Sequence, residues 1–355
     1  MSEANHEHWP DDVPAGGGLI RSPVAGAGGS EGERAAERAV ERVLAGDLRA
    51  AALLMRALDD ELPGAREALR AIYPHGGRAF VVGITGSPGV GKSTLVSALV
   101  AAYRARGERV AVVAVDPSSP FSGGALLGDR VRMNRHATDD GVFIRSLATR
   151  GHHGGLSRAT AASVAVFDAA GFPVIFVETV GAGQAELDVA DAADAVVVVT
   201  APGLGDEVQA LKAGLLEIAD LLVVNKGDRE GADRTLADLT AMLALGARAV
   251  PPLLKTVAAS EGTPLSTPTS GIGELVMALE RLRACPAAER AARRQRQAAR
   301  QIVAIAGERA RARAAATLAG DDAGAGFHWA ATVDAVASRT LDPWSAADTL
   351  LEVLK

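Results

Sequence analysis

The sequence contains a single cysteine, Cys285, among its 355 residues. It therefore cannot form an internal disulfide or a cysteine cluster for zinc or iron–sulfur, and we expect a reducing, cytoplasmic location. The chain also lacks the roughly 18 to 20 consecutive apolar residues that a membrane-spanning helix requires, and its polar, acidic N-terminus is unlike a signal peptide. With a formal net charge of −6, it lacks the basic surface typical of nucleic-acid-binding proteins. We therefore expect neither nucleic acid nor membrane as a partner.

Lysine is scarce as well, because nearly all of the 37 basic residues are arginines. Ammonium and guanidinium groups differ in size and geometry, so a lysine in an arginine-rich chain suggests a position that requires a compact charge. The lysines are Lys92, Lys212, Lys226, Lys255 and Lys355. The first three of them fall within the motifs described below.

Short apolar runs alternate with helical patterns between residues 76 and 285. Such alternation is typical of an α/β fold whose mostly parallel central sheet is buried on both faces. The runs are AFVVGIT, RVAVVAVD, PVIFVET, AVVVVTA, DLLVVNK and ARAVPPLLK. Before them, apolar residues three and four positions apart predict two or three short helices, which we assign to an N-terminal helical segment at residues 31–75. Residues 1–30, rich in Gly, Pro and acidic residues, are predicted to be a disordered leader.

A helical pattern returns after Pro286. An arginine- and alanine-rich stretch runs to about Leu318 and is followed by a second helical region from Trp329 to Leu351. Residues 286–355 are therefore predicted to form a helical extension. Its basic stretch is either a solvated helix face or an arm that binds a partner or a second copy of the chain.

A phosphate-binding loop follows the first apolar run. Residues 86–94 match the pattern G-x-x-x-x-G-K-[ST] between a predicted strand and a predicted helix. Glycines let such a loop turn its backbone N–H groups toward phosphate oxygens at the start of a helix. We expect Lys92 to reach the β- and γ-phosphates and the Ser93 hydroxyl to bind Mg²⁺; the alternative is a glycine-rich turn that only opens a helix. The candidate nucleotide-binding residues here are Gly86, Ser87, Pro88, Gly89, Val90, Gly91, Lys92, Ser93 and Thr94.

Acidic residues end two further apolar runs. Glu178 follows PVIFV, and Asp116 follows RVAVVAV. Because parallel strands end at one edge of a sheet, both carboxylates are expected beside the phosphate loop, where the magnesium-linked acid of a P-loop protein lies. Gly181 would offer its backbone N–H to the γ-phosphate. The alternative for Glu178 is a pair with a surface arginine.

The run DLLVVNKGD ends in an N-K-x-D motif. Guanine presents a ring N–H and an exocyclic amine side by side, and one carboxylate accepts both, whereas adenine lacks this pair of donors. Asp228 is therefore predicted to select guanine, since adenine would leave its carboxylate unsatisfied at a cost of about 1 to 3 kcal/mol or more. Lys226 would lie along the base and Asn225 would connect this loop to the phosphate loop, although the motif alone is also compatible with a simple turn. Candidate N–H donors to the guanine oxygen are Val257, Ala258 and Ala259.

With these motifs in this order, the chain resembles the MeaB/MMAA/ArgK family of P-loop GTPases, which act as chaperones of adenosylcobalamin-dependent acyl-CoA mutases. The stretch from Asp116 to Met133 is similar to the family's switch I region, and residues 143–151 are also similar to the family. The resemblance implies a P-loop NTPase fold that hydrolyses GTP to GDP and phosphate, with residues 76–285 as the GTPase domain. The implied magnesium-binding residues are Ser93, Asp116, Asp129 and Glu178.

The stretch from Pro202 to Lys212 resembles a further mobile loop that the family calls switch III. By this resemblance, Asp206 and Lys212 join Lys92 and Glu178 as catalytic residues and couple the nucleotide state to the mutase. The alternative is that Asp206 caps a helix and Lys212 is solvated. The family also implies a mutase of the methylmalonyl-CoA or isobutyryl-CoA type as the partner, and a homodimer formed through the C-terminal arm.

Two features depart from the expected pattern. Residues 260–271 are longer than the family's usual turn, which leaves the exact contacts with guanine open. Ala182 follows Gly181, where many signalling GTPases have a glutamine that orients water, and Gln184 comes two positions later. We therefore expect slow intrinsic hydrolysis, accelerated when the partner remodels the switches and positions a charge such as Lys212.

Two other functions are compatible with parts of the sequence. A metallochaperone GTPase that delivers nickel or zinc would need a donor site, for which the candidates are His6, His8, His136, His152 and His153. A kinase that phosphorylates a small molecule or a transport protein is disfavoured by the guanine-type base motif.

Overall fold

The computed structural model describes residues 31–116, 136, 138–148, 155–179, 185–203, 214–244, 250–258, 270–319 and 329–353. The chain divides into two compact units. The first takes in the chain up to Ala79 together with Ala162–Pro173, and the second takes in Phe80–Ala161 and the chain from Val174 onward. Residues 1–30, predicted to be a disordered leader, lie outside the described part.

Short helices form the N-terminal part of the first unit, which confirms the helical pattern read from the sequence. They are α1 (Glu31–Leu44), α2 (Leu48–Asp59) and α3 (Ala65–Ile72), followed by a 3-10 turn at Tyr73–His75. Asp47 begins α2, because its carboxylate accepts the backbone N–H groups of Arg49 and Ala50 at 2.9 and 3.0 Å. Such a cap satisfies donors that the first helical turn leaves without a partner. Buried apolar side chains between these helices include Val43, Leu54, Met55 and Ile72.

The second unit contains a parallel sheet with the strand order β3-β2-β4-β1-β5-β6-β7. Its strands are β1 (Phe80–Thr85), β2 (Val110–Asp116), β3 (Val142–Ala148), β4 (Val174–Thr179), β5 (Ala195–Thr200), β6 (Leu221–Val224) and β7 (Leu253–Lys255). All six neighbouring pairs are parallel. This architecture confirms the α/β fold with a mostly parallel central sheet.

Helices from residue 80 onward connect these strands and extend beyond them. They are α4 (Lys92–Ala105), α5 (Gly155–Ala169), α6 (Ala185–Asp188), α7 (Leu215–Ile218), α8 (Ala232–Ala244), α9 (Ile272–Arg283), α10 (Ala287–Ala319), α11 (Trp329–Ala337) and α12 (Pro343–Val353), with a 3-10 turn at Val189–Asp191 after α6. The helices α10 to α12 confirm the helical pattern predicted after Pro286. Of the helices described, none is both long enough and apolar enough to cross a membrane.

The hydrophobic core of the second unit lies between the central strands and two helices. Every residue of β1, β4, β5 and β6 is buried, which explains why these strands read as unbroken apolar runs. Val82 and Ile84 of β1 belong to one buried cluster with Leu99 of α4 and with Leu275 and Leu279 of α9. The start of α4, which carries the phosphate motif, is thus anchored in the core.

Two strands differ from the sequence-based expectation. We did not predict β3, because Arg145 and Ser146 interrupt its apolar run; as an edge strand it pairs only with β2 in the described sheet. The run ARAVPPLLK contributes only three residues to β7. Pro251 and Pro252 precede them, and proline cannot donate to a strand ladder.

The helix α10 is fastened to the amino edge of the sheet by polar contacts. The Arg293 guanidinium donates to both carboxylate oxygens of Asp220, at 2.8 and 2.7 Å. The same carboxylate accepts the backbone N–H of Val196, the second residue of β5, at 2.9 Å. Gln297 donates to the carbonyl of Ala193 at 2.7 Å. The beginning of the C-terminal extension is therefore part of the second unit.

Candidate functional site

The loops that follow β1, β4 and β6 leave the sheet at its carboxyl edge. β1 lies between β4 and β5, so the chain moves to one side of β1 for β2 and to the other side for β5. Parallel α/β sheets bind ligands at such a reversal of strand order. Ile84 of β1 is paired in register with Glu178 of β4, and Thr200 of β5 with Val224 of β6. The motifs predicted from the sequence thus follow strands that end side by side.

The phosphate loop, residues 86–91, depends on glycines at two crowded positions. Gly86 has φ of 134°, and a Cβ there would lie 2.0 Å from the carbonyl oxygen of Val199. Gly91 has φ of 92°, and a Cβ there would lie 2.6 Å from Asn225 Nδ2. Both positions combine a left-handed backbone with a close neighbour, so only glycine fits them. The loop can therefore approach β5 and the loop after β6 closely.

Lys92 lies at the start of α4 with 5% of its surface exposed. Its ammonium donates to the carbonyl oxygens of Gly86 and Ser87, at 2.5 and 2.8 Å. These bonds turn the loop around the ammonium in front of the helix N-terminus, where backbone N–H groups and the helix dipole favour anions. The arrangement fits the binding of phosphate groups.

A hydroxyl and a carboxylate meet beside the phosphate loop. The Ser93 hydroxyl donates to Glu178 Oε1 at 2.6 Å, and both residues are buried, with 5% and 2% exposed. The neighbouring Thr179 hydroxyl donates to the Thr85 hydroxyl at 3.0 Å, which fixes the end of β4 against β1. Serine hydroxyl and carboxylate oxygens are hard donors of the kind Mg²⁺ binds. The residues present fit a magnesium ion.

Of the other residues predicted to bind magnesium or phosphate, the structure describes Asp116. Asp116 is the last residue of β2, which pairs with β4 so that Val115 lies opposite Thr179. Its backbone therefore reaches the same edge of the sheet. Asp129 and Gly181 lie outside the described residues.

Asn225 connects the base loop to the phosphate loop. It is 2% exposed, and its Nδ2 donates to the carbonyl of Val90 at 2.9 Å. Its Oδ1 accepts the Thr256 hydroxyl and the Ala258 N–H, both at 3.1 Å. One buried amide thus joins three separate segments, as predicted for the connection between the two loops.

Lys226 and Asp228 follow in the same turn. Lys226 has φ of 55°, and its ammonium donates to the carbonyl of Gly89 in the phosphate loop at 2.6 Å. A left-handed conformation is uncommon for a residue with a side chain, and it is typical of functional turns. Asp228 is exposed, and no described residue forms an ion pair or a hydrogen bond with its carboxylate. Its oxygens are available to a base.

Val257 and Ala258, predicted to donate to the guanine oxygen, lie directly after β7 and Thr256. The N–H of Val257 donates to the carbonyl of Ser270 at 2.8 Å, and the N–H of Ala258 donates to Asn225 Oδ1 at 3.1 Å. Both predicted donors to the guanine oxygen therefore have acceptors within the protein, because the chain after β7 turns back against Asn225. Ala259, the third candidate, lies outside the described residues.

Sequence reasoning missed two groups of this site. Thr256, 1% exposed, holds the Asn225 amide, and the Thr85–Thr179 pair holds the end of β4. A threonine directly after the last apolar run was a usable signal for the first. Nothing in the sequence indicated the second, because it depends on the pairing of β1 with β4.

Several residues implied by the family resemblance cannot be compared with the structure. Asp206, Lys212, Ala182 and Gln184 lie outside the described residues, as do the histidine candidates other than His136. No group of three or more His, Cys, Asp and Glu side chains that could hold a metal ion occurs in the part of the chain that the structure covers.

His136 is buried against the helix that starts at the phosphate loop. Its Nε2 lies 3.0 Å from the Ser97 hydroxyl and 3.1 Å from the Ser97 carbonyl. Nearby, Arg104 of the same helix donates to both oxygens of Asp139 at 2.9 Å. The hydrogen bonds from Arg104, together with the one that the backbone N–H of Gly141 donates, hold the pKa of the Asp139 carboxyl below its usual range. The segment before β3 is thereby attached to α4.

Comparison with known proteins agrees with this geometry. Residues 49–319 match the family model described as methylmalonyl Co-A mutase-associated GTPase MeaB. A Pyrococcus abyssi protein that bears a GTPase name is 55% identical over 227 residues, which are 62% of this chain and 69% of that protein. A Caenorhabditis briggsae protein named methylmalonic aciduria type A homolog, mitochondrial, is 41% identical over 177 residues, which are 50% of this chain and 42% of that protein. The crystal structure of a LAO/AO transport system kinase is similar with a TM-score of 0.66 and 26% identity, covering 91% of this chain and 98% of that chain.

Proposed function

Because this chain belongs to the family of methylmalonyl-CoA mutase-associated GTPases described as MeaB, we propose that its GTP hydrolysis drives a chaperone cycle on an adenosylcobalamin-dependent acyl-CoA mutase. In this cycle the protein protects or reactivates the mutase or gates the loading of its cofactor. The mutase is of the methylmalonyl-CoA or isobutyryl-CoA type. The match to the family model over residues 49–319 is the observation that carries this proposal. The name of the C. briggsae relative, which refers to methylmalonic aciduria, supports it.

Phosphate binding is the first part of the mechanism. The backbone N–H groups of the loop after Pro88, together with the N-terminus of α4, would receive the α- and β-phosphates. Lys92 would redirect its ammonium from the loop carbonyls, at 2.5 and 2.8 Å, toward the β- and γ-phosphates. The ammonium would then stabilise the negative charge that develops on the β-phosphate as its bond to the γ-phosphoryl group breaks.

Magnesium is the cofactor that this site would use. Ser93 and Glu178 would hold it, directly or through water, with Asp116 and Asp129 as further ligands implied by the family resemblance. When bound, the ion neutralises charge on the β- and γ-phosphate oxygens. The bond of 2.6 Å between Ser93 and Glu178 would then be exchanged for contacts of both oxygens with the ion or its waters.

Guanine recognition depends on the loop after β6. The exposed Asp228 carboxylate would accept the ring N–H and the exocyclic amine of guanine together. Lys226, already bonded to the phosphate loop at 2.6 Å, would lie along the base. Asn225 keeps the base loop and the phosphate loop at a constant separation, so base and phosphate contacts form together.

Hydrolysis is phosphoryl transfer to water without a covalent intermediate, so the protein acts by positioning and electrostatics. We infer that GTP orders the loops around Asp116, Asp129, Glu178 and Asp206, and that hydrolysis releases them. Intrinsic turnover would be slow, and Lys212 or Gln184 would assist when the mutase remodels these loops. Asp206 and Lys212 would communicate the nucleotide state to the mutase.

The proposed domain boundaries separate the helical extensions from the part of the chain that contains the sheet. Residues 31–75 would form an N-terminal helical segment, residues 76–285 the GTPase domain, and residues 286–355 an arm that dimerises. Sedimentation of the full chain, compared with a chain that ends near residue 318, would measure whether a homodimer needs the part of the arm that follows α10.

The proposal is tested by mixing the purified chain with each of two mutases, one acting on methylmalonyl-CoA and one on isobutyryl-CoA. We expect one of them to co-purify with the chain in the presence of GTP and Mg²⁺ and to raise the rate of GTP hydrolysis by more than about tenfold, as partner-supplied charges do in other GTPases. Phosphate release is the readout.

Lys92→Ala is the control for this experiment, since it should abolish nucleotide binding and with it the stimulated rate. If neither mutase binds or changes the rate while hydrolysis itself depends on Lys92, the chaperone proposal is wrong and the GTPase site stands. If Lys92→Ala retains GTP affinity, the assignment of the phosphate site is wrong.

A further inference from the structure

Lys255 is one of the few lysines of this chain that no sequence motif explains. It ends β7 and lies against the N-K-x-D turn: a Cβ added to Gly227 would lie 2.5 Å from Lys255 Cγ and 3.0 Å from Lys255 Cδ. Distances this short mean that the alkyl stem of Lys255 covers the backbone of Gly227. The stem occupies the space that a side chain at the third position of the motif would need.

The ammonium of Lys255 forms an ion pair beyond the stem. It donates to Asp233 Oδ1 at 2.7 Å, with 43% of the Lys255 side chain and 85% of the Asp233 side chain exposed. Asp233 lies in the first turn of α8. Exposed ion pairs of this kind contribute little to stability. The stem, and not the ion pair, therefore makes the contact with the base loop.

The backbone around Lys255 is held from two sides. Thr256 accepts the N–H of Gly227 at 2.9 Å and donates its own N–H to Val224 at 2.9 Å. On the other side, a Cβ on Gly271 would lie 2.0 Å from the Lys255 carbonyl oxygen. The backbone at Lys255 is thus held between the base loop and the start of α9, and it anchors the stem that supports the turn.

This support lies under a turn with an unfavourable conformation. Lys226 has φ of 55°, which a residue with a side chain adopts only when its surroundings hold it there. Lys226 and Asp228 flank Gly227 directly. A shift of Gly227 would move both side chains that contact the base.

We propose that Lys255 is a positioning residue for guanine recognition, whose alkyl stem holds the Gly227 turn so that Lys226 and Asp228 are presented to the base. This inference rests on the proposed role of the N-K-x-D motif. The stem determines how well the turn is preorganised for a guanine nucleotide, and preorganisation raises affinity without adding a contact to the ligand. The contacts described for Lys255 are with Gly227, Asp233 and Gly271, all on the side of the base loop.

Three variants of the full chain distinguish the effect of the Lys255 alkyl stem from the effect of its charge. Lys255→Ala removes both, Lys255→Met keeps most of the stem without the charge, and Asp233→Ala removes only the ion pair. Calorimetric titration with GDP should show binding roughly five- to twentyfold weaker for Lys255→Ala. Lys255→Met and Asp233→Ala should stay within about twofold of the parent chain. Equal losses for Lys255→Met and Lys255→Ala, or no loss for Lys255→Ala, would overturn the proposal.

Steady-state hydrolysis gives a second readout that a general loss of stability would not produce. Lys255→Ala should raise KM for GTP and leave kcat unchanged at saturation, because the base contacts are made equally in the ground and transition states. A fall in kcat with unchanged KM contradicts the assigned role.

A rescue experiment tests the contact itself. Gly227→Ala should weaken GDP binding because its new methyl group meets the Lys255 stem. The double variant Gly227→Ala/Lys255→Ala should bind GDP at least about threefold more tightly than the sum of the two single-variant losses in binding free energy predicts. Additive losses would mean that the stem and Gly227 are not coupled.

Asp228→Ala separates this inference from the proposed base site. If Asp228→Ala keeps the preference for GDP over ADP, the base site itself is wrongly assigned. If Asp228→Ala loses that preference while Lys255→Ala binds GDP normally, only the role of Lys255 is refuted.

Discussion

Replacement of Asn225 by alanine tests the connection between the two nucleotide-binding loops. The amide is 2% exposed and makes three hydrogen bonds of 3.1 Å or less, to the Val90 carbonyl, the Thr256 hydroxyl and the Ala258 N–H. Asn225→Ala removes all three together. Val90 and Thr256 are themselves buried, so water cannot easily replace the amide at these two groups.

The expected loss in the free energy of unfolding follows from the burial of these three partners. A buried polar group that loses its partner costs about 1 to 3 kcal/mol, and the half-buried Ala258 N–H, which water can reach, adds less. Two buried groups and one accessible group give a loss of about 3 to 4 kcal/mol in the free energy of unfolding. Thr256→Val removes one bond of the same network with almost no change of shape, and it should cost only about 1 kcal/mol.

The assay is urea unfolding of each variant followed by circular dichroism, together with calorimetric titration of GDP. Asn225→Ala should be destabilised about three times as much as Thr256→Val, and it should also bind GDP more weakly because the phosphate loop and the base loop are no longer joined. A variant Asn225→Ala that is no less stable than Thr256→Val would refute the reasoning. Such a result would mean that the network is not the connection between the loops.

Three further outcomes are expected. Ser93→Ala and Glu178→Gln should each raise the Mg²⁺ concentration for half-maximal hydrolysis by about tenfold or more, since even the loss of a group that supports a metal ligand costs about 10- to 100-fold in metal affinity. An unchanged Mg²⁺ dependence of both variants would contradict the assigned metal site. Arg104 lowers the pKa of Asp139, so this carboxylate stabilises the fold above its ordinary pKa and loses that effect as the pH falls through the lowered value. The stability difference between the parent chain and Asp139→Asn should therefore shrink as the pH falls below the ordinary carboxyl pKa, and a constant difference would disprove the sign. Arg293→Ala should lower the free energy of unfolding by about 2 kcal/mol, since it leaves a partly buried carboxylate without its charged donor, and a loss below about 0.5 kcal/mol would show that the contact of α10 with the sheet is not stabilising.

Much of this fold follows from sequence patterns because its strands are buried on both faces. Apolar runs such as PVIFVE are long enough to identify β4 and to place Glu178 at its end. The phosphate loop can also be predicted from the sequence, because its glycines and Lys92 are required by the loop's own backbone shape. Local patterns were sufficient wherever a residue's role depends on its immediate neighbours.

The remaining features depend on contacts between distant segments. β3 was missed because an edge strand is only partly buried, and Arg145 and Ser146 interrupt its pattern. The internal acceptors of the Val257 and Ala258 N–H groups, the Ser270 carbonyl and the Asn225 amide, were not foreseen because they come from other parts of the chain. Such partners become visible only when the turn after β7 is positioned against the base loop.

The same limit applies to the contact of Lys255 with Gly227. These residues are far apart in the sequence, and the lysine follows an apolar run in which no motif is expected. Only the pairing of β6 with β7, which aligns Val224 with Lys255, brings the stem over the turn. The scarcity of lysine drew attention to the position without indicating its partner.

Calorimetric titration of the full chain with GDP and with ADP, both in the presence of Mg²⁺, tests the central claim most directly. GDP should bind at least about 100-fold more tightly than ADP, because only guanine satisfies the Asp228 carboxylate with two donors, and Asp228→Ala should remove most of this difference. Equal affinities of the folded chain for the two nucleotides would contradict the account.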